Sequence, residues 1–243
     1  MPWDFALILL AMATLVPWRG AVRMRQLLAR PQLASTDRLA LYASTIAFQW
    51  FAVALVVWRS HARGLTSRDL GLSLVQKDRA WQTAVSLCIL LVLGQLLSLR
   101  YVARLPPERQ GFLRLMANKV LPQNLVESLA FLALTGTVAL CEEFLYRGFV
   151  FAVIQRATSS AGLATAGSAL VFALAHLYQG KRGVRTTFFV GLLFGVTRIW
   201  TGSIAPTILV HFLVDLVAGV VAPRWLRNTG AQAQAAPDSG SRQ

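Results

Sequence analysis

Residues 39–58 read LALYASTIAFQWFAVALVVW and residues 80–99 read AWQTAVSLCILLVLGQLLSL, two runs in which no side chain is charged. A helix of about twenty such residues crosses the ~30 Å hydrocarbon core of a bilayer. A helix that is apolar on every face is buried in a large core or in lipid. The remainder of the 243 residues argues for lipid, with 56% hydrophobic content and a mean hydropathy of +0.55. Lipid offers the backbone no hydrogen-bond partner, so each spanning segment must satisfy its own N–H and C=O groups, which a helix does. The expected fold is therefore all-α, a polytopic membrane protein of about seven transmembrane helices.

Outward from these two runs, Phe5–Trp18 is a shorter apolar stretch followed by Arg19. It lacks a basic leader and a small-residue cleavage site, so it reads as a retained first helix. Leu125 to about Arg156 reads as one long helix, and Ala157-Thr158-Ser159-Ser160 breaks it before a fifth helix from Ala161 to Tyr178. A sixth covers roughly Thr186–Trp200, and Thr201-Gly202-Ser203 with Pro206 opens a seventh that ends near Ala222, ahead of Pro223. The chain then divides into a three-helix membrane region with basic loops (1–124), a bundle holding the site (125–222) and a tail (223–243). The tail is rich in Gly, Ala, Gln and Ser and is expected to be disordered.

The net charge of +14 comes from 21 arginines and three lysines spread over several loops. Nucleic acid is excluded as a partner, because no basic face with interleaved aromatics is formed. Under seven helices the N-terminus and even-numbered loops share about seven basic residues, and the odd-numbered loops and tail carry sixteen. The excess places the C-terminus in the cytoplasm and the N-terminus outside. The preponderance of arginine over lysine suits a GC-rich bacterial genome, hence a bacterial inner (plasma) membrane. Cys88 and Cys141 lie in apolar helices as small hydrophobes, and His61 sits in a basic loop where solvation explains it. No phosphate-binding loop, dinucleotide fingerprint or zinc-finger spacing occurs.

Against this apolar background the polar residues of the second half stand out, because ionisable groups at bilayer depth are costly and mark functional sites by default. Glu142 and Glu143 are adjacent in the fourth helix; His176 and His211 lie in the segments that follow. Glu143 and Arg147 are four apart and can pair on one face, while Glu142 points about a hundred degrees away and is left free as a general base. Glu142 lies seventeen residues before Ser159 and His176 seventeen after it, so an antiparallel hairpin holds them level. The seventh helix brings His211 to within one or two turns of that depth, with Asp215 four residues on along the same face. A structural reading stands beside this one: the acids neutralise Arg147 and the histidines join helices by hydrogen bonds.

These residues resemble the motifs of the CPBP intramembrane proteases, also called the CAAX-processing and bacteriocin-immunity or Abi family, which includes the type II CAAX prenyl endopeptidases. Glu142, Glu143 and Arg147 match its Glu-Glu-x-x-x-Arg motif, Phe172 and His176 its Phe-x-x-x-His, and His211 and Asp215 its His-x-x-x-Asn/Asp. The flanks Tyr146-Arg147-Gly148 and Thr201-Gly202-Ser203-Ile204-Ala205-Pro206 are similar too, and the likeness runs from about Glu127 to Ala222. The resemblance implies an intramembrane endopeptidase in which Glu142 activates a water, with His176, His211 and Asp215 holding that water or stabilising the oxyanion. Glu143 and Arg147 would support the helix. The implied substrate is a membrane-embedded or lipid-modified protein or peptide, prenylated or anchored at its C-terminus. Asp215 stands where the prenyl-protease branch carries Asn, which leaves prenylation open.

No cofactor is expected, there being no His-Glu-x-x-His helix; the alternative is zinc held by Glu142, His176 and His211. Two other functions fit the same residues. A transporter with a Glu/His/Asp proton relay requires a polar pathway reaching both faces, for which the second and third helices offer only Gln49, Gln82, Gln95 and small hydroxyls. A non-catalytic scaffold or immunity protein of the same family would tolerate Glu142→Gln.

Overall fold

A computed structural model describes residues 1–74 and 76–234, with side chains as far as Leu226. The chain is an all-α polytopic membrane protein. Helices α1 (Trp3–Ala13) and α2 (Leu15–Ala29) are offset at Thr14, whose φ of −124° and ψ of −61° leave the helix. Pro17 explains the break: it has no N–H for the carbonyl of Ala13 and its ring crowds that carbonyl. The first helix therefore runs past Arg19, where the sequence suggested an end. A charge limits the apolar run, not the helix.

Next come α3 (Ser35–Ala62), α4 (Lys77–Ala103) and a short α5 (Gly111–Lys119) that the sequence reading left as loop. Asn124 caps α6 (Leu125–Glu142) by accepting the Glu127 N–H at 2.9 Å. The helix then continues through a π-helical segment, Glu143–Val150, into α7 (Phe151–Thr158). Ser159, at φ 56°, turns the chain, and Ser160 caps α8 (Ala161–Ala175) by accepting the Leu163 N–H at 3.2 Å. A single 3-10 turn, Leu177–Gln179, joins α8 to α9 (Gly180–Thr201), and α10 (Ala205–Gln234) follows. The expected end of the last helix before Pro223 is corrected: α10 passes through Pro223. Residues 223–234 are thus helical where a disordered tail was expected; the rest of that tail, 235–243, lies outside the described residues.

Among the described residues five helices are long and apolar enough to cross a membrane: Trp3–Ala29, Ser35–Ala62, Lys77–Ala103, Leu125–Thr158 and Ala205–Leu226. The expected fifth and sixth helices are α8 and α9, a bent pair at 59° that makes a sixth candidate span at most. Their contacts double back on each other, Gly191 facing Ala169 and Gly195 facing Thr165. Phe51, Ile89, Leu93 and Leu129 are exposed on the outer surface, as lipid-facing residues are.

Side-chain contacts sort the helix ends onto two faces. On the first, Asp4 of α1 accepts from Arg59 and Arg63 at the end of α3, and Arg79 of α4 stacks 4.8 Å over Trp200 of α9. On the second, Arg38 of α3 forms a buried two-pronged pair with Glu127 of α6 at 2.8 and 2.9 Å, and Lys119 of α5 donates to the carbonyls of Leu28 and Arg30.

Residues 63–74 fold over the first face. Leu65 and Leu70 are buried with Phe149 and Ile204, and the Gly71 carbonyl accepts from Ile204 N at 2.9 Å and Ser203 Oγ at 3.3 Å. Arg198 Nη2 donates to the Asp69 carbonyl at 2.8 Å. Gly71, at φ +69°, has no Cβ to strike that guanidinium, and Gly148 lets the Leu70 carbonyl within 3.1 Å of where its Cβ would stand. The main core thus lies between this loop and the π-helical segment.

Candidate active site

The π-helical segment carries the central residues. Such segments insert an extra residue per turn and recur at functional sites. Glu143 and Arg147 are completely buried here, with Arg147 Nη1 donating to Glu143 Oε1 at 3.0 Å. The same oxygen accepts from His211 Nδ1 at 3.0 Å. Because a carboxylate only accepts, Nδ1 carries the proton, and the other ring nitrogen of His211 turns to Asp215 Oδ2 at 3.5 Å. His211 is thus held between Glu143 and Asp215.

Phe172 is the hub around which the motifs meet. The Arg147 guanidinium lies 4.0 Å over its ring, compensating in part for the nitrogens Nε and Nη2, which have no hydrogen bond among the described residues, with Phe194 at 5.2 Å on another side. Tyr146, His176 and His211 meet the Phe172 ring at centroid separations of 5.1, 4.6 and 6.1 Å. His176 ends α8 and donates from Nδ1 to the Phe172 carbonyl at 2.8 Å, leaving Nε2 as its free nitrogen.

Glu142 faces the other way, as the helical offset from Glu143 requires. Its Oε1 accepts from Gln49 Nε2 of α3 at 2.9 Å, while Oε2 is buried without a partner among the described residues. Both Glu142 and His176 line a cavity of about 1030 Å³, together with Asp215, His211, Tyr146 and Tyr178. The six sequence-nominated residues therefore assemble in two linked groups: Glu142, His176 and Asp215 on the cavity, Glu143 and Arg147 behind it, and His211 joining the two.

One expectation needs correction. Glu142 is not wholly free, because Gln49 crosses from α3 to hold one oxygen. Among the described residues no three His, Cys, Asp or Glu side chains stand close enough to hold an ion. The reason is local: both His211 nitrogens face carboxylates, and one His176 nitrogen is spent on a carbonyl. Sequence reasoning assigned no role to Gln49, Tyr146 or Tyr178. Gln49 had a signal, being a polar residue inside an uncharged spanning run, and Tyr146 stands one helical turn from Glu142.

Residues 124–217 match the family model described as type II CAAX prenyl endopeptidase Rce1-like. The match takes in all three motifs and supports a place in the CPBP/CAAX protease family. It supports a protease at the level of the family, working inside the membrane on a membrane-associated or lipid-modified substrate. No curated protein and no solved structure matches the chain.

Proposed function

We propose that the chain is an intramembrane endopeptidase in which Glu142 activates the attacking water. One observation carries this reading: a carboxylate in a membrane cavity, one oxygen held by Gln49 and the other bare, on the same cavity as His176 and Asp215. Gln49 holds the carboxylate in one rotamer at the cavity wall.

Glu142 Oε2 removes a proton from water as the oxygen bonds to the peptide carbonyl carbon. His176, whose Nε2 is an acceptor while Nδ1–H binds the Phe172 carbonyl, holds the water's second hydrogen. The tetrahedral oxyanion collapses with cleavage of the C–N bond, and the proton on Glu142 passes to the leaving amine. The carboxylate is thereby restored. His211, braced by Glu143, keeps Asp215 beside the reaction, and Arg147 keeps Glu143 charged and in register. A positioned base of this kind contributes about 10² to 10⁴ in rate. The substrate is a membrane-anchored protein or peptide, and the basic second face is the cytoplasmic one.

The test is cleavage of internally quenched membrane peptides by purified protein, comparing wild type with Glu142→Gln and His211→Ala, each with and without a strong chelator. Loss in both variants with no effect of the chelator is the expected result. Loss on chelation with recovery on zinc would replace the water-activating role of Glu142 by a metal. Cleavage that survives Glu142→Gln would end this reading.

A further inference from the structure

The cavity on which Glu142 opens carries more positive charge than its reaction uses. Arg19, Arg23, Arg109, Lys181 and Arg182 line it, against the carboxylates of Glu142 and Asp215. None of the five cations has a carboxylate within ion-pairing distance among the described residues, although Arg38, Arg59, Arg63 and Arg147 each do.

Two of the five are built into the cavity wall near the reaction centre. Arg19 and Arg23 are four residues apart in α2, hence on one face. That helix is seated by Gly20, where an added Cβ would stand 3.9 Å from both the Ala175 carbonyl and the Tyr178 ring, directly beside His176. Arg19 stacks 4.6 Å over the ring of Phe48, the neighbour of the Gln49 that holds Glu142. Arg23 donates to Ser44 Oγ on the same helix, α3. Both side chains are thus drawn against the α3 wall of the cavity. Two like charges on one face of a spanning helix, Arg19 exposed and Arg23 half-buried, repel each other unless an anion joins them.

We propose that Arg19 and Arg23 receive an oxyanion in the reaction cavity, supplied by the terminal carboxylate of a peptide substrate or by a lipid phosphate. Guanidinium pairs suit both, since each offers two parallel N–H donors to two oxygens. Taken with the protease reading of Glu142, on which its catalytic meaning rests, the arginines set the register: they fix the charged end of the substrate, and the bond presented to Glu142 follows from the length of chain between.

The test reads equilibrium binding, so it does not depend on cleavage. The full chain carrying Glu142→Gln is placed in neutral phosphatidylcholine nanodiscs. A fluorescein-labelled apolar peptide is added as the free acid or as its C-terminal amide, and anisotropy is followed. The acid is expected to bind about tenfold tighter than the amide. Adding Arg19→Gln and Arg23→Gln should bring that ratio to about one, whereas Arg19→Lys with Arg23→Lys should keep a smaller preference for the acid, through charge alone, and so control for folding. A second arm measures enrichment of phosphatidylglycerol around the protein in mixed nanodiscs. If acid and amide bind alike but the Gln pair loses that enrichment, the oxyanion is a lipid phosphate. Equal binding of acid and amide with unchanged enrichment overturns the proposal, as does a preference for the acid that survives both Gln substitutions. Cleavage failing in the wild type would sink the protease reading and leave this result standing.

Discussion

At Glu142 and Glu143 two chemically identical side chains are given opposite tasks by one helical step. Glu143 is enclosed, with Arg147 and His211 both donating to its Oε1, whereas Glu142 accepts from Gln49 and lines the cavity. Glu143→Ala should therefore destabilise the protein by about 3–5 kcal/mol, the penalty for leaving a buried Arg147 charge without its partner. Thermal unfolding in detergent would measure it. Glu142→Gln keeps the shape and the contact with Gln49, so its melting temperature should stay near that of wild type while peptide cleavage falls about 10² to 10⁴-fold. Gln49→Leu should lower kcat with little change in KM, since it loosens the base and touches no substrate; an unchanged kcat would remove Gln49 from the machinery. Residue spacing made much of this legible: the Glu143–Arg147 pair and the common face of His211 and Asp215 follow from a step of four. The bond between His211 and Glu143 was not legible, because it depends on how α10 is rotated against the π-helical segment, which no local spacing encodes.

Helices were easier to read than the joints between them. The break at Ser159 follows from its local sequence, and the two uncharged runs became α3 and α4 with a few residues added at each end. The π-helical segment, the short α5 and the loop at 63–74 left no periodic trace, since each is shaped by what packs on it. That loop makes its own predictions. Gly71→Ala sets a Cβ at positive φ against the Arg198 guanidinium, and Gly148→Ala pushes on the Leu70 carbonyl. Each should lower the melting temperature, Gly71→Ala by the equivalent of at least about 1–2 kcal/mol. Inside the loop the Thr66 N–H, with the Thr66 hydroxyl, donates to Asp69 and holds its carboxyl below the usual carboxylate range. A lowered folded value stabilises above the unfolded value, about pH 4, and the contribution fades as the pH falls through the lowered one. The difference in melting temperature between wild type and Asp69→Asn should accordingly be present at pH 7 and shrink toward pH 3.

For the molecule as a whole, the contacts between helix ends put Trp3, Trp58, Trp81 and Trp200, all exposed, toward the first face, whereas Arg19, Arg23, Arg109, Lys181 and Arg182 gather toward the second. Tryptophan favours the interfacial belt of a bilayer. Lipids brominated near the headgroup should therefore quench the tryptophan fluorescence more strongly than lipids brominated at the chain terminus; the reverse order would contradict this placement. Composition alone announced the solvent and the class of fold, but only the packed bundle reveals that its two faces are unequal. The strap formed by 63–74 has a consequence of another kind. Cleavage requires water at mid-bilayer, and a water-filled breach that ran from face to face would drain the ion gradients of the host membrane. The residues around Glu142 line a chamber to which neither the strap nor Arg198 contributes. Under the proposed function the strap would stand between that chamber and the first face, and hydrolysis would proceed without short-circuiting the bilayer around it.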